Sequence, residues 1–177
     1  MQTSPVSTLE RFETALSNLE VGITYAGPDE FHTVLESIVD DPTIGVPLGF
    51  DAISLPPWVD TDPTPATLES ATTGITPASM GIADYGSVVL PEQPAGAEPV
   101  SLFPDRHVAV VRASDVVTDM RTAIDRLGPR LRAGESTVVA TGPSATADMG
   151  ALVRGAHGPK TVHVVVFEDG RMEGDDE

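Results

Sequence analysis

Residues 141–168 read TGPSATADMGALVRGAHGPKTVHVVVFE, and the way this stretch folds decides the architecture around it. It opens with a turn at Gly142-Pro143, where glycine permits backbone angles that other residues resist. SATADMGALVRG predicts a short helix over 144–155, with Ser144 or Thr146 as its cap. TVHVVVF reads as a strand whose apolar residues run together with little alternation, as in strands covered on both faces. Gly142, Ser144, Thr146, Asp148 and His157 crowd the two loops that flank the expected helix.

The residues just upstream have the same rhythm. HVAVV (107–111) reads as a strand. Ser114 is placed to cap a helix with Val116, Met120, Ile124 and Leu127 on its buried side, closed by Gly128-Pro129. STVVAT (136–141) is the next strand. A β-α-β-α-β series with short links predicts an α/β fold with a parallel sheet and right-handed crossovers. In such sheets ligands sit at the carboxyl ends of the strands, where helix N-termini point free N–H groups outward.

TGPSATAD would lie at that edge. Two readings stay open: Ser144, Thr146 and Asp148 steady the helix start, or the turn cradles an anion. Asp148 would compete with a bound anion, and neither G-x-x-x-x-G-K-[ST] nor G-x-G-x-x-G occurs. A helix of about ten residues spans about 15 Å, which separates Ser144 from His157. A nucleophile–base pair needs roughly 3 Å, so only a homo-oligomer could bring the two together. His157, in GAHGP, suits bonding the last carbonyls of the helix. His163, inside an apolar strand, reads as a satisfied core histidine.

The N-terminal part is mostly scaffold. Ser7 and Glu10 have capping-box spacing, followed by Leu9, Phe12, Leu16 and Leu19 at helical intervals, with Gly22 able to end the helix. A second helix is expected from Pro28, with Phe31, Val34, Leu35, Ile38 and Val39 on one face, stopping before Pro42. Residues 43–58 suggest short interrupted strands, 59–67 a surface connection, and Ala66 the neighbourhood of a short helix. Ser87–Leu90 is a strong strand end. In GIADYG, Asp84 stands before that strand, either as a turn residue bonding its own backbone or as a functional acid.

Composition narrows the function. The chain has 177 residues, which suits one α/β domain, with N-terminal helices over 7–41. It lacks a secretory leader pattern and any apolar run long enough for a membrane span, so a soluble cytoplasmic protein is expected. The net charge is −17, which repels phosphate backbones and argues against nucleic-acid binding. The same charge suits a salt-rich cytoplasm, because at ~1 M salt the Debye length falls to about 3 Å. With no cysteine and no H-x-x-x-H spacing, the chain is expected to hold no metal and no cofactor of its own.

GITPASMGIADYGSVVL, FPDRHVAVV and TGPSATADMGALVRGAHGPKTVHVVV together resemble the LUD domain, the lactate-utilization protein C family, over about residues 70–168. That resemblance implies the fold shared with sugar-phosphate isomerases and coenzyme A transferases: a Rossmann-like, mostly parallel sheet with helices on both faces. It implies a role in oxidising L-lactate to pyruvate, as an accessory subunit whose Cys-rich iron–sulfur partners hold the clusters. The family's motif positions fall here on Gly81, Asp84 and Gly86, and on Gly142, Pro143, Ser144, Thr146, Asp148, His157, Gly158 and Pro159. The family often has Glu-Thr-Gly where this chain has Asp84-Tyr85-Gly86. Asp84 is the candidate catalytic acid, and Gly81, Gly86, Gly142, Ser144, Thr146, Asp148 and His157 are the candidate contacts for a small anionic ligand. The alternative is a stand-alone enzyme or binding protein for an acyl or phosphorylated small molecule.

Overall fold

Ser7 starts the first helix as its spacing predicts. Its hydroxyl accepts the Glu10 N–H at 3.2 Å, and the Glu10 carboxylate accepts the Ser7 N–H at 2.7 Å. The computed structural model describes residues 7–93, 96–148 and 151–169. In chain order the elements are α1 (Thr8–Asn18), β1 (Gly22–Ala26), α2 (Phe31–Ile38), β2 (Thr43–Gly45), α3 (Pro65–Ser70), β3 (Thr73–Ala78), β4 (Met80–Ile82) and β5 (Ser87–Pro91). They continue as α4 (Ala97–Leu102), β6 (Arg106–Arg112), β7 (Val116–Val117), α5 (Met120–Arg132), β8 (Thr137–Thr141), β9 (Ala145–Asp148), β10 (Ala151–Arg154) and β11 (Thr161–Phe167).

The central sheet has the order β1-β11-β6-β3-β2, and every neighbouring pair is parallel. Alternation along each strand gives it two apolar faces. One face buries Val108, Val110, Val165 and Phe167 against Phe31 and Leu35 of α2 and against Leu48, Ile53 and Val59. The other buries Ala109, Val111, Val164 and Val166 against Phe12 and Leu16 of α1 and Val88 and Leu90 of β5. A second sheet, β7-β4-β5-β8, lies over that face. Its outer side packs Met80, Ile82 and Val89 on Ala123 and Leu127 of α5. Gly74 lets α4 approach: a Cβ there would stand 2.0 Å from the Val100 carbonyl oxygen. The mixed α/β architecture with a mostly parallel sheet flanked by helices is as expected.

Five local expectations are corrected. Where a helix over 144–155 is expected, Ala145–Asp148 and Ala151–Arg154 are strands. β9 and β10 pair antiparallel as a hairpin, with Ala145 opposite Arg154. ATAD alternates small apolar and polar residues at strand period, and the capping residues around it masked that signal. STVVAT is a strand, but β8 leaves the parallel sheet and pairs antiparallel with β5 from Ser87–Thr141 to Pro91–Thr137. The helix expected from Ser114 begins instead at Met120, where Asp119 Oδ1 accepts the Thr122 N–H at 2.8 Å, and it runs through Gly128-Pro129 to Arg132. Val116 belongs to β7, and Ile124 is exposed. Finally, Pro28 precedes α2 in a turn, and of residues 43–58 only Thr43–Gly45 are a strand, the rest packing as irregular chain.

Candidate functional site

The hairpin closes one side of a cavity of about 430 Å³ between the two sheets. Val162 and Val164 of β11, Val88 of β5 and Val138–Thr141 of β8 form its walls, and Leu16 of α1 and Val21, just before β1, reach it. The turn Gly142-Pro143-Ser144 and the loop His157-Gly158-Pro159 meet along one border. The Ser144 N–H donates to the Pro159 carbonyl at 2.9 Å, and the Gly155 N–H donates to the Ser144 carbonyl at 3.0 Å. Gly142 and Gly155 hold left-handed backbone angles, φ +68° and +79°, at the two places where the chain turns into and out of the hairpin.

Of the candidate residues, Gly86, Gly142, Ser144, Thr146 and His157 line this cavity together. The 15 Å separation of Ser144 from His157 was a consequence of the expected helix, and the hairpin removes it. The His157 backbone N–H points at Ser144 Oγ, 3.4 Å away. That contact comes from the main chain, and among the described hydrogen bonds none joins the His157 imidazole to the Ser144 hydroxyl. With no helix after the turn, His157 caps no helix C-terminus, and no helix dipole backs an anion cradle at Ser144. The Asp148 side chain lies outside the described residues.

Gly81 and Asp84 are not among the lining residues. Gly81 sits under Phe12 and Val116, where a Cβ would meet their side chains at 3.1 and 3.2 Å. Asp84 forms an ion pair with Arg11 of α1. Gly86 has φ +62° and backs onto α1, so that a Cβ there would lie 3.0 Å from the Ala15 and Leu16 backbone. The cavity also lies beside the amino ends of β6 and β11, with His107 and Val162 each second in its strand, and not along the expected carboxyl edge.

His107 is the polar group that reading by residue type passes over. It lines the cavity and is only 2% exposed, and its Nε2 is 2.8 Å from the buried Thr76 hydroxyl. Burial pushes its pKa down from 6.5 to about 4, so the ring is neutral at physiological pH. A histidine leading an apolar strand was the available signal, but HVAVV does not say which face holds a space. His163 is the contrasting case: only partly buried where a core position is expected, it has its Nε2 2.9 Å from Thr24 Oγ1 on the opposite face. Its pKa is lowered by burial and then by the nearby Arg106 cation. Among the described residues no Arg or Lys lines the cavity, and no group of three His, Asp or Glu could hold a metal ion. The arrangement suits binding by apolar contact with a few hydroxyl and imidazole partners.

The chain matches the LUD domain over residues 60–167. It is 31% identical over 103 residues to a protein named lactate utilization protein C from Deinococcus radiodurans, covering 57% of this chain and 49% of that one. It is 35% identical over 106 residues to a Bacillus subtilis protein of the same name, covering 57% and 44%. The chain thus spans about half the length of these relatives. A crystal structure of a DUF162 family protein from Deinococcus radiodurans superposes with a TM-score of 0.71 at 23% identity, covering 92% of this chain and 99% of that one.

Proposed function

This chain belongs to the LUD domain family, and from that premise we propose that it serves lactate utilization as an accessory, ligand-binding component and not as the redox catalyst. The observation that carries this reading is the convergence of Gly86, the segment with Gly142, Ser144 and Thr146, and His157 on one cavity. The names of its relatives support the pathway. The absence of cysteine supports the division of labour, since a chain without thiolates leaves Cys-ligated clusters to Cys-rich iron–sulfur partners.

Tagged protein is expected to retrieve such partners at native salt, and the purified chain alone is expected not to oxidise lactate. Lactate oxidation by the pure chain, or retrieval of no iron–sulfur protein, contradicts the reading. A stand-alone enzyme for phosphorylated substrates has less support, because no described residue lining the cavity is cationic and Asp84 is engaged by Arg11. The acidic surface belongs to the same proposal as an adaptation to high salt. The melting temperature should climb steeply with KCl, and a flat response would refute that part.

A further inference from the structure

We propose that the cavity accepts a neutral molecule with an apolar body and one or two hydrogen-bonding atoms, in preference to a carboxylate or phosphate, with His107 as its polar anchor. The inference rests on the reading of this cavity as the ligand site and names the class of ligand.

Three observations point the same way. First, the wall is largely aliphatic, built from Leu16, Val21, Val88, Val138, Val162 and Val164. Second, no Arg or Lys is among the described residues that line the cavity, and several of the chain's cations are paired at the surface. Arg11 pairs with Asp84, Arg106 with Asp40, Arg154 with Glu20 and Lys160 with Asp105. Two backbone donors beside the cavity are engaged too: the N–H of Ser144 is taken by Pro159, and that of His157 faces Ser144 Oγ. A charge buried without a counter-ion loses hydration that a few hydroxyl and imidazole partners replace only in part.

Third, His107 is held by Thr76 through Nε2, so Nδ1 is the ring's remaining hydrogen-bonding atom, and a neutral imidazole offers one donor or one acceptor there. Size agrees. Even at a water's share of about 30 Å³ per heavy atom, the six heavy atoms of lactate fill roughly 180 Å³. The cavity holds about 430 Å³. A two-ring body fits that space better.

A matched pair of probes isolates charge from shape: 2-naphthamide and 2-naphthoate, titrated calorimetrically near neutral pH. In 1 M KCl the protein's overall negative field is screened, leaving local chemistry to decide. We expect 2-naphthamide to bind at least tenfold more tightly than 2-naphthoate, and Ala140→Phe, which fills the cavity from β8, to abolish binding. His107→Leu should weaken 2-naphthamide about tenfold and leave naphthalene, which has no polar atom, unchanged.

Naphthoate binding as tight as the amide and blocked by Ala140→Phe overturns the neutral-ligand inference while leaving the cavity as the ligand site. Amide binding that survives Ala140→Phe, or no binding of either probe, overturns the inference outright. Retrieval of iron–sulfur partners tests the functional reading separately. Should His107→Leu fail to fold, the amide-to-carboxylate ratio and Ala140→Phe still decide.

Discussion

The two faces of the central sheet are built from the same valine-rich strands and end up with different uses. One is sealed: Phe31 and Leu35 of α2 lie on Val108, Val110, Val165 and Phe167. The other is roofed by α1, a second sheet and a hairpin, and the join leaves a cavity of about 430 Å³. Two histidines on adjacent strands mark the contrast. His107 pairs in register with Val162, and His163 with Val108. The one-residue offset sends them to opposite faces. His163 is partly buried and bonds Thr24 on the sealed side, whereas His107 is buried and borders a space. What covers a strand, more than the strand's own residues, decides whether a buried imidazole is structural or available.

The largest expected effect lies on the sealed face. Phe31→Ala should cost ~3–5 kcal/mol in urea unfolding, because a fully buried ring is replaced by a void. Val138→Ala, on the cavity wall, should cost about 1 kcal/mol or less, since part of its surroundings is already space. Equal costs would break the comparison. Next is the pH response. His107 titrates near 6.5 when unfolded and about 4 when folded, so the unfolded chain binds more protons between those values. Stability should therefore fall as pH drops from about 6.5 to 4, by up to ~3 kcal/mol from this group, and burial of His163 acts in the same direction. His107→Gln, compared with the parent by urea unfolding at pH 7 and pH 4.5, should show a shallower loss. An unchanged loss would place the titration elsewhere.

Smaller effects refine the open face. Gly142→Ala forces a Cβ into a left-handed backbone and should cost ~1–2 kcal/mol in the same urea assay, whereas a neutral result would mean that the turn enters the hairpin differently. Ser7→Ala removes the α1 cap beside Phe12 and Leu16 and should cost ~1 kcal/mol by thermal melting.

Much of the sealed half was legible from residue order. The apolar face of α2 and the unbroken runs in β6 and β11 each carry a local signal that tertiary structure does not overrule, as does the Ser7–Glu10 spacing that starts α1 on the other face. The roof was harder. Thr137–Thr141 reads as a strand, but nothing in five residues says that its partner is β5 rather than β11, because pairing is chosen by distant segments. In 144–155 the hydroxyl and acidic residues that cap helices also occupy turns and strands, and the alternation in ATAD spans only four residues. The motif positions Gly142, Ser144, Thr146 and His157 were visible as a group, but their meeting at a cavity depends on that hairpin. His107 stood out only as a polar residue leading an apolar strand, since the assembled roof alone shows which strand face keeps a space.

The hairpin's closure is therefore the point on which the account stands, and a chain without cysteine makes it directly measurable. A Cβ built on Gly158 would lie 3.2 Å from the Ser144 Cβ, near disulfide range and within small adjustment of it. Ser144→Cys combined with Gly158→Cys should lose both free thiols on mild oxidation of the monomer at low protein concentration, through an intramolecular bond. If 144–155 were helical, those positions would stand about 15 Å apart, both thiols would remain titratable, and the cavity with its converging motif residues would not exist.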